Sequence, residues 1–188
     1  MNPSQRNASQ DPQDNVSRRG FLAGAGAAAA AVAVVRPQAA RGAQANAKVN
    51  LGVIGCGGRG TWITDLFAQH GGYNIVAAAD YFEDQVTRFG DKFQIKPNLR
   101  FTGLNGYRRM LDAGVVDAIA IESPPYFHPE QAAAGVEAGC HVYVAKPIAV
   151  DVPGCKTIEA SGKAATGKQL CFLVDFQTRT DPYYIESV

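Results

Sequence analysis

A chain of 188 residues, 46% of them apolar and with a formal charge of only +1, is long enough for one α/β domain plus an extension. So even a balance supplies neither a basic nor an acidic field, which excludes nucleic acid as an expected partner. The four cysteines (Cys56, Cys140, Cys155 and Cys171) form no CxxC pair and have no histidine at zinc-like spacing, so neither a metal site nor a disulfide is expected and each reads as a small buried hydrophobe.

Residues 1–47 read as a leader outside the fold. A polar opening is followed by Ser17-Arg18-Arg19-Gly20-Phe21-Leu22 and then an Ala/Gly-rich apolar run from Ala23 to Val35. Paired arginines ahead of a weakly hydrophobic segment are the pattern of a twin-arginine export signal. The run is shorter than the roughly 20 residues a spanning helix needs, so no stable membrane span is expected. Ala43-Gln44-Ala45 and Ala45-Asn46-Ala47 each offer a small-x-small cleavage site. The expected partner is the twin-arginine export machinery, and the expected location is periplasmic or otherwise exported.

The remainder, 48–188, is organised around Val49-Asn50-Leu51-Gly52-Val53-Ile54-Gly55-Cys56-Gly57-Gly58-Arg59-Gly60. An apolar strand runs directly into Gly-x-Gly-x-x-Gly and then into a helix from Thr61 to about His70, the order a dinucleotide-binding fingerprint requires. Gly55 permits the tight turn, Gly57 lets backbone approach a pyrophosphate, and Gly60 lets helix and strand pack closely. The anion would sit at the helix N-terminus, with Arg59 within reach of it. Asn74 to Asp80 reads as the next strand. Its terminal carboxylate falls about 20 residues past Gly60, where an acid accepts hydrogen bonds from an adenosine ribose.

Further along, Phe82–Phe93 has helical periodicity, with Val86, Phe89 and Phe93 on one face. Leu99–Thr102 reads as a short strand, Tyr107–Leu111 as a short helix and Val115–Ile121 as a buried strand. The loop Glu122-Ser123-Pro124-Pro125-Tyr126-Phe127-His128-Pro129 leads to an Ala-rich helix over Glu130–Ala138. His141–Ala145 is the next strand, closing on Lys146-Pro147. Asp151 caps a helix from about Val152 to Ala165, and Lys168–Phe176 gives a last strand. Alternating strands and helices predict a Rossmann-type, doubly wound parallel α/β sheet.

These residues resemble the Gfo/Idh/MocA oxidoreductases, named after glucose–fructose oxidoreductase and inositol dehydrogenase. The likeness covers about Lys48 to the end of the chain. It rests on the glycine loop, Asp80, Ser123-Pro124-Pro125-Tyr126-Phe127-His128, Val142-Tyr143-Val144-Ala145-Lys146-Pro147 and Val174-Asp175-Phe176-Gln177-Thr178-Arg179. The resemblance implies an NAD(P)-dependent oxidoreductase acting on a sugar, polyol or related secondary alcohol. It implies cofactor contacts from Gly55, Cys56, Gly57, Gly58, Arg59, Gly60, Asp80, Ser123, Pro124, His128 and Lys146. It further implies that Lys146, the lysine of the family's Glu-Lys-Pro motif, takes part in proton transfer. Oxidising an alcohol releases a proton to the protein, and a lysine beside a cationic ring surrenders its own proton more readily.

Two departures follow. The family's Glu before the lysine is Ala145 here, and the family's second α/β domain, which carries the substrate wall and the oligomer interface, is absent from 48–188. The chain is therefore expected to be truncated before the substrate domain, and to form a homo-oligomer only with it. Asp80 favours NAD, with NADP as the alternative: a carboxylate about 4 Å from a 2′-phosphate is repelled by on the order of a few kcal/mol per charge. The rival reading is a non-catalytic dinucleotide-binding module, and restoring a glutamate at Ala145 is the change expected to separate the two.

Overall fold

The computed structural model describes residues 48–179 and 181–187 of the chain; the export-signal reading falls on 1–47 and lies outside the described residues. Six strands form one sheet: β1 (Val49–Ile54), β2 (Tyr73–Asp80), β3 (Arg100–Thr102), β4 (Ala118–Ile121), β5 (His141–Ala145) and β6 (Phe172–Asp175). Their order is β3-β2-β1-β4-β5-β6, and every neighbouring pair is parallel. The order reverses between β1 and β4, so the chain leaves a crevice at the C-terminal ends of these two strands. That is where ligands bind in open α/β sheets.

Helices cover both faces, which is why the central strands read as unbroken apolar runs. On one face α1 (Gly58–His70) and α2 (Glu83–Lys92) pack; Leu51, Val53, Ala78 and Ala120 meet Val86 and Phe89 there. On the other lie α3 (Gly106–Asp112), α4 (His128–Glu137) and α5 (Val152–Gly167), whose Met110, Val136 and Ile158 close over Ile119, Ile121, Val142 and Val144. A short helix, α6 (Pro182–Glu186), ends the described chain. Among the described residues no helix is long and apolar enough to cross a membrane.

Most element boundaries agree with the sequence reading, and the differences have local causes. Asp151 caps α5 by accepting the Gly154 N–H at 2.7 Å. β4 begins only at Ala118, because the preceding Asp117 carboxylate takes the Asn50 N–H at 3.0 Å. β6 begins at Phe172 rather than Lys168, because the Lys168 N–H closes α5 on Ala164 and Ala165, while its Nζ donates to the Val136 carbonyl at 2.8 Å. One expectation fails for half its members. Cys56 and Cys140 are buried, but Cys155 and Cys171 are exposed. Cys155 lies on the outer side of α5, and Cys171 lies in the turn just before edge strand β6, so neither has a layer above it.

Trp62 and Leu66 are also exposed, although both share the helical spacing of α1. α1 rests on the sheet through Gly60, Ile63 and Thr64 instead.

Candidate cofactor site

The turn from β1 to α1 is built by close approach. Gly55 has φ +96°, and a Cβ on it would lie 2.5 Å from the Ser123 nitrogen. A Cβ on Gly60 would lie 1.9 Å from the Gly55 carbonyl oxygen, so the helix can meet the strand only with hydrogen there. Gly57 and Gly58 differ: a Cβ on either would meet nothing within 4 Å. They leave the backbone at the start of α1 open to a ligand, and the first N–H groups of a helix have no partner inside it. Bare backbone, unpaired N–H groups and the positive end of a helix dipole together fit a pyrophosphate.

Asp80 ends β2 beside this turn. One carboxylate oxygen accepts the Cys56 N–H at 2.7 Å and the other accepts the Phe82 N–H at 3.0 Å. Those two bonds fix the carboxylate at the mouth of a cavity of about 420 Å³. The cavity runs from Asp80, Tyr81 and Leu104 to Ser123, Pro124 and Phe127. Its apolar, aromatic walls and one fixed acid fit an adenosine. The guanidinium of Arg88 on α2 pairs with Asp84 at 2.8 Å. Cys56 spends its N–H on Asp80, and its thiol pKa is pushed up by burial and by the Asp80 charge, so it stays a protonated packing group.

Two of the residues expected at the cofactor lie with other partners in this structure. Arg59 does not point at the anion position. Its Nη2 contacts the Asp175 carboxylate and its Nε lies 3.2 Å from Glu122. Both acids are buried and attract the guanidinium downward, beneath the turn. His128, expected beside the cofactor, is buried at 1% exposure and does not line the cavity. Its Nε2 faces the Ser123 carbonyl at 2.6 Å and its Nδ1 the Pro147 carbonyl at 2.9 Å. It therefore ties the loop after β4 to the loop after β5. Burial holds its pKa below the ordinary histidine value, while the two carbonyls oppose that shift. A neutral ring can donate to only one of the two carbonyls.

Ser123 and Pro124 do line the cavity, and the Ser123 hydroxyl donates to Gln131 Oε1 at 2.6 Å. Lys146 is exposed at the end of β5, on the same edge of the sheet, and is joined to Pro147 by a cis peptide bond. Three side chains gathered near Arg59 were not singled out from the sequence: Glu122, Tyr143 and Asp175. The available signal was an acid ending each of two apolar strands, but nothing in the sequence says that these strands flank β5. Burial pushes the Glu122 carboxyl up to about 7, with the Arg59 charge opposing and the Asp175 charge adding to the shift.

The fold and this edge together define an NAD-binding Rossmann domain. The profile of the Gfo/Idh/MocA oxidoreductase family, described as the NAD-binding Rossmann fold of that family, matches residues 49–176, and the chain belongs to this family. It is similar to a glycosyl hydrolase family 109 protein of Streptomyces coelicolor, 30% identical over 140 residues that make up 72% of this chain and 26% of that protein. It is also similar to an inositol 2-dehydrogenase/D-chiro-inositol 3-dehydrogenase of Shouchella clausii, 29% identical over 73% of this chain and 38% of that protein. Among solved structures, the WlbA dehydrogenase of Bordetella pertussis, in complex with NADH and UDP-GlcNAcA, is 27% identical with a TM-score of 0.62, over 71% of this chain and 36% of that one. The scyllo-inositol dehydrogenase of Lactobacillus casei with NAD(H) and scyllo-inositol shares the fold, with a TM-score of 0.63 at 22% identity, over 74% of this chain and 39% of that one. The chain thus spans between 22% and 38% of the length of the curated relatives it matches.

Proposed function

We propose that this chain is the cofactor-holding part of an NAD-dependent oxidoreductase acting on a secondary alcohol of a sugar, polyol or related compound. The observation that carries the reading is the shared edge: glycine turn, Asp80, Ser123-Pro124 and Lys146 all lie at the C-terminal ends of β1, β2, β4 and β5. NAD, when bound, supplies the hydride acceptor. The chain's residues do the rest. Asp80 receives ribose hydroxyls and disfavours a 2′-phosphate, the first turn of α1 holds the pyrophosphate, and Lys146 Nζ takes up the hydroxyl proton. Relatives named for inositol dehydrogenase and glycosyl hydrolase support a carbohydrate-like substrate.

Calorimetric titration of the chain with NAD and NADP tests the reading. NAD binding that weakens in Asp80→Ala supports it; a folded sample that binds neither cofactor sinks it. Turnover is tested by following nicotinamide absorbance over a panel of sugars and polyols, with Lys146→Met as the inactive partner. The second reading, a dinucleotide-binding module without catalysis, is favoured by Ala145, which leaves Lys146 without an acid before it on β5. In that case NAD binds and no panel member is oxidised even when the family's second α/β domain is supplied.

The paired Arg18 and Arg19 before the apolar run support export through the twin-arginine route, which carries folded proteins and would let the cofactor bind first. Cell fractionation of Arg18→Lys/Arg19→Lys tests this, with retention in the cytoplasm expected. Any homo-oligomer would form through a second domain rather than through this one.

A further inference from the structure

Beneath the glycine turn sits a cluster that the reaction does not explain. β4, β5 and β6 run parallel, and Ala145 pairs in register with Asp175. Ile121 pairs with Val144, so the next residue, Glu122, comes level with Ala145 from the other side. Tyr143, two residues before Ala145, lies on the same face because strand side chains alternate. Burial pushes its phenol pKa up, and the charges of Asp175 and Glu122 add to that shift while Arg59 opposes it. Three strands therefore present two carboxylates and a phenol around one methyl group, and α1 lowers a single guanidinium onto them.

The Glu122 carboxylate is wholly buried, and neither of its oxygens has a hydrogen-bond partner. Its pairing with Arg59 is thus a Coulombic contact at 3.2 Å rather than an aligned hydrogen bond. Arg59 belongs to the first turn of α1, two residues past Gly57. Whatever fixes its guanidinium also fixes the N–H groups of that turn.

We propose that Asp175 supplies the charge, and Glu122 the adjoining buried carboxyl, of a clamp on the partly exposed Arg59 that sets the first turn of α1 against the ends of β4 and β6, and that this clamp occupies the ground beside Ala145. Arg59 is then a positioning residue: it orients the pyrophosphate-binding turn through its backbone and leaves the anion to the N–H groups. Resting on the NAD-binding reading, the inference also reverses an expectation from sequence. Glutamate at 145 would not restore a missing partner. It would place a third carboxylate around one guanidinium, and like charges in a dry site repel strongly.

The experiment compares Ala145→Glu, Ala145→Gln and Glu122→Ala/Ala145→Glu in the full chain, reading NAD affinity by calorimetry and the thermal midpoint. Ala145→Glu is expected to weaken NAD binding roughly tenfold or more and to lower the midpoint, as uncompensated buried charge does. Ala145→Gln, equal in size, should do markedly less. The double variant should return to within about threefold of the wild-type affinity, since contacting residues are coupled. A clamp of charges predicts that ordering. If Ala145→Glu and Ala145→Gln behave alike, or the double variant is no better than Ala145→Glu, size alone governs the site and the proposal falls. Failure of the wild type to bind NAD overturns the cofactor reading instead, and the order of the three midpoints still decides the clamp.

Discussion

The two halves of the C-terminal edge solve the same problem by different means. On the β1–β2 side a single carboxylate, Asp80, is fixed by two backbone N–H groups, those of Cys56 and Phe82, and stays half-exposed at the rim of an apolar cavity. On the β4–β6 side two carboxylates, Glu122 and Asp175, face one guanidinium from side chain to side chain, and both are buried. Backbone donors come with the turn and demand nothing of distant residues. Side-chain charges in a dry place must be matched by residues 63 and 116 positions apart in sequence. The first half is therefore tolerant and local, and the second depends on the whole sheet being in register.

The comparison can be broken most severely at the hinge both halves share. Gly60→Ala places a methyl against the Gly55 carbonyl, 1.9 Å away, where neither backbone segment can yield. A loss on the order of 4 kcal/mol or more is expected, as for other severe backbone clashes. Chemical denaturation would show it, and a midpoint unchanged from wild type would refute the packing described for the turn.

Glu122→Gln sharpens the buried side. The Glu122 pKa is raised by burial from 4.5 to about 7, so the folded state holds its proton where the unfolded chain has lost it. Stability from this group is therefore fully present below about pH 4.5 and declines as pH rises toward 7. The penalty is on the order of 3 kcal/mol at most. Thermal midpoints of the wild type should fall across that interval more steeply than those of Glu122→Gln. Parallel curves would mean that Glu122 titrates normally.

Asp80→Ala addresses the exposed side. Hydrogen bonds to a charged group contribute about 1.5–3 kcal/mol, and this change removes the acceptor of two N–H groups. NAD affinity is expected to drop by roughly tenfold or more, with NADP gaining relative to NAD as the repelling charge goes. Loss of both cofactors in equal measure would assign Asp80 to the turn alone.

The smallest effect belongs to the outer surface. Cys155 and Cys171 are exposed, whereas Cys56 and Cys140 are buried. Cys155→Ser should change stability by less than about 0.5 kcal/mol. A thiol reagent should label the two exposed cysteines in the native protein and the other two only on unfolding.

Much of this was legible in the linear chain. A strand, three spaced glycines, a helix and an acid at the end of the next strand are local features, and each has a local physical cause. Gly55 supplies the positive φ, and Asp80 reaches back only as far as the turn its own strand lies beside. Caps such as Asp151 and the alternation of strand and helix gave the architecture for the same reason. Only the tertiary structure decided where Arg59 and His128 point. Both were expected at the cofactor because they sit in or next to its loops. A guanidinium follows the strongest nearby charge, however, and the acids that draw it are far away in sequence. An imidazole between two carbonyls is held by loops that meet only when β4 and β5 lie side by side. Ala145 shows the same limit: in sequence it is a missing acid, while in the sheet it is the small residue between two acids. Hydrogen-bonding and turn geometry act over a few residues and can be read in order; charge pairing acts through space and waits for the register of the sheet.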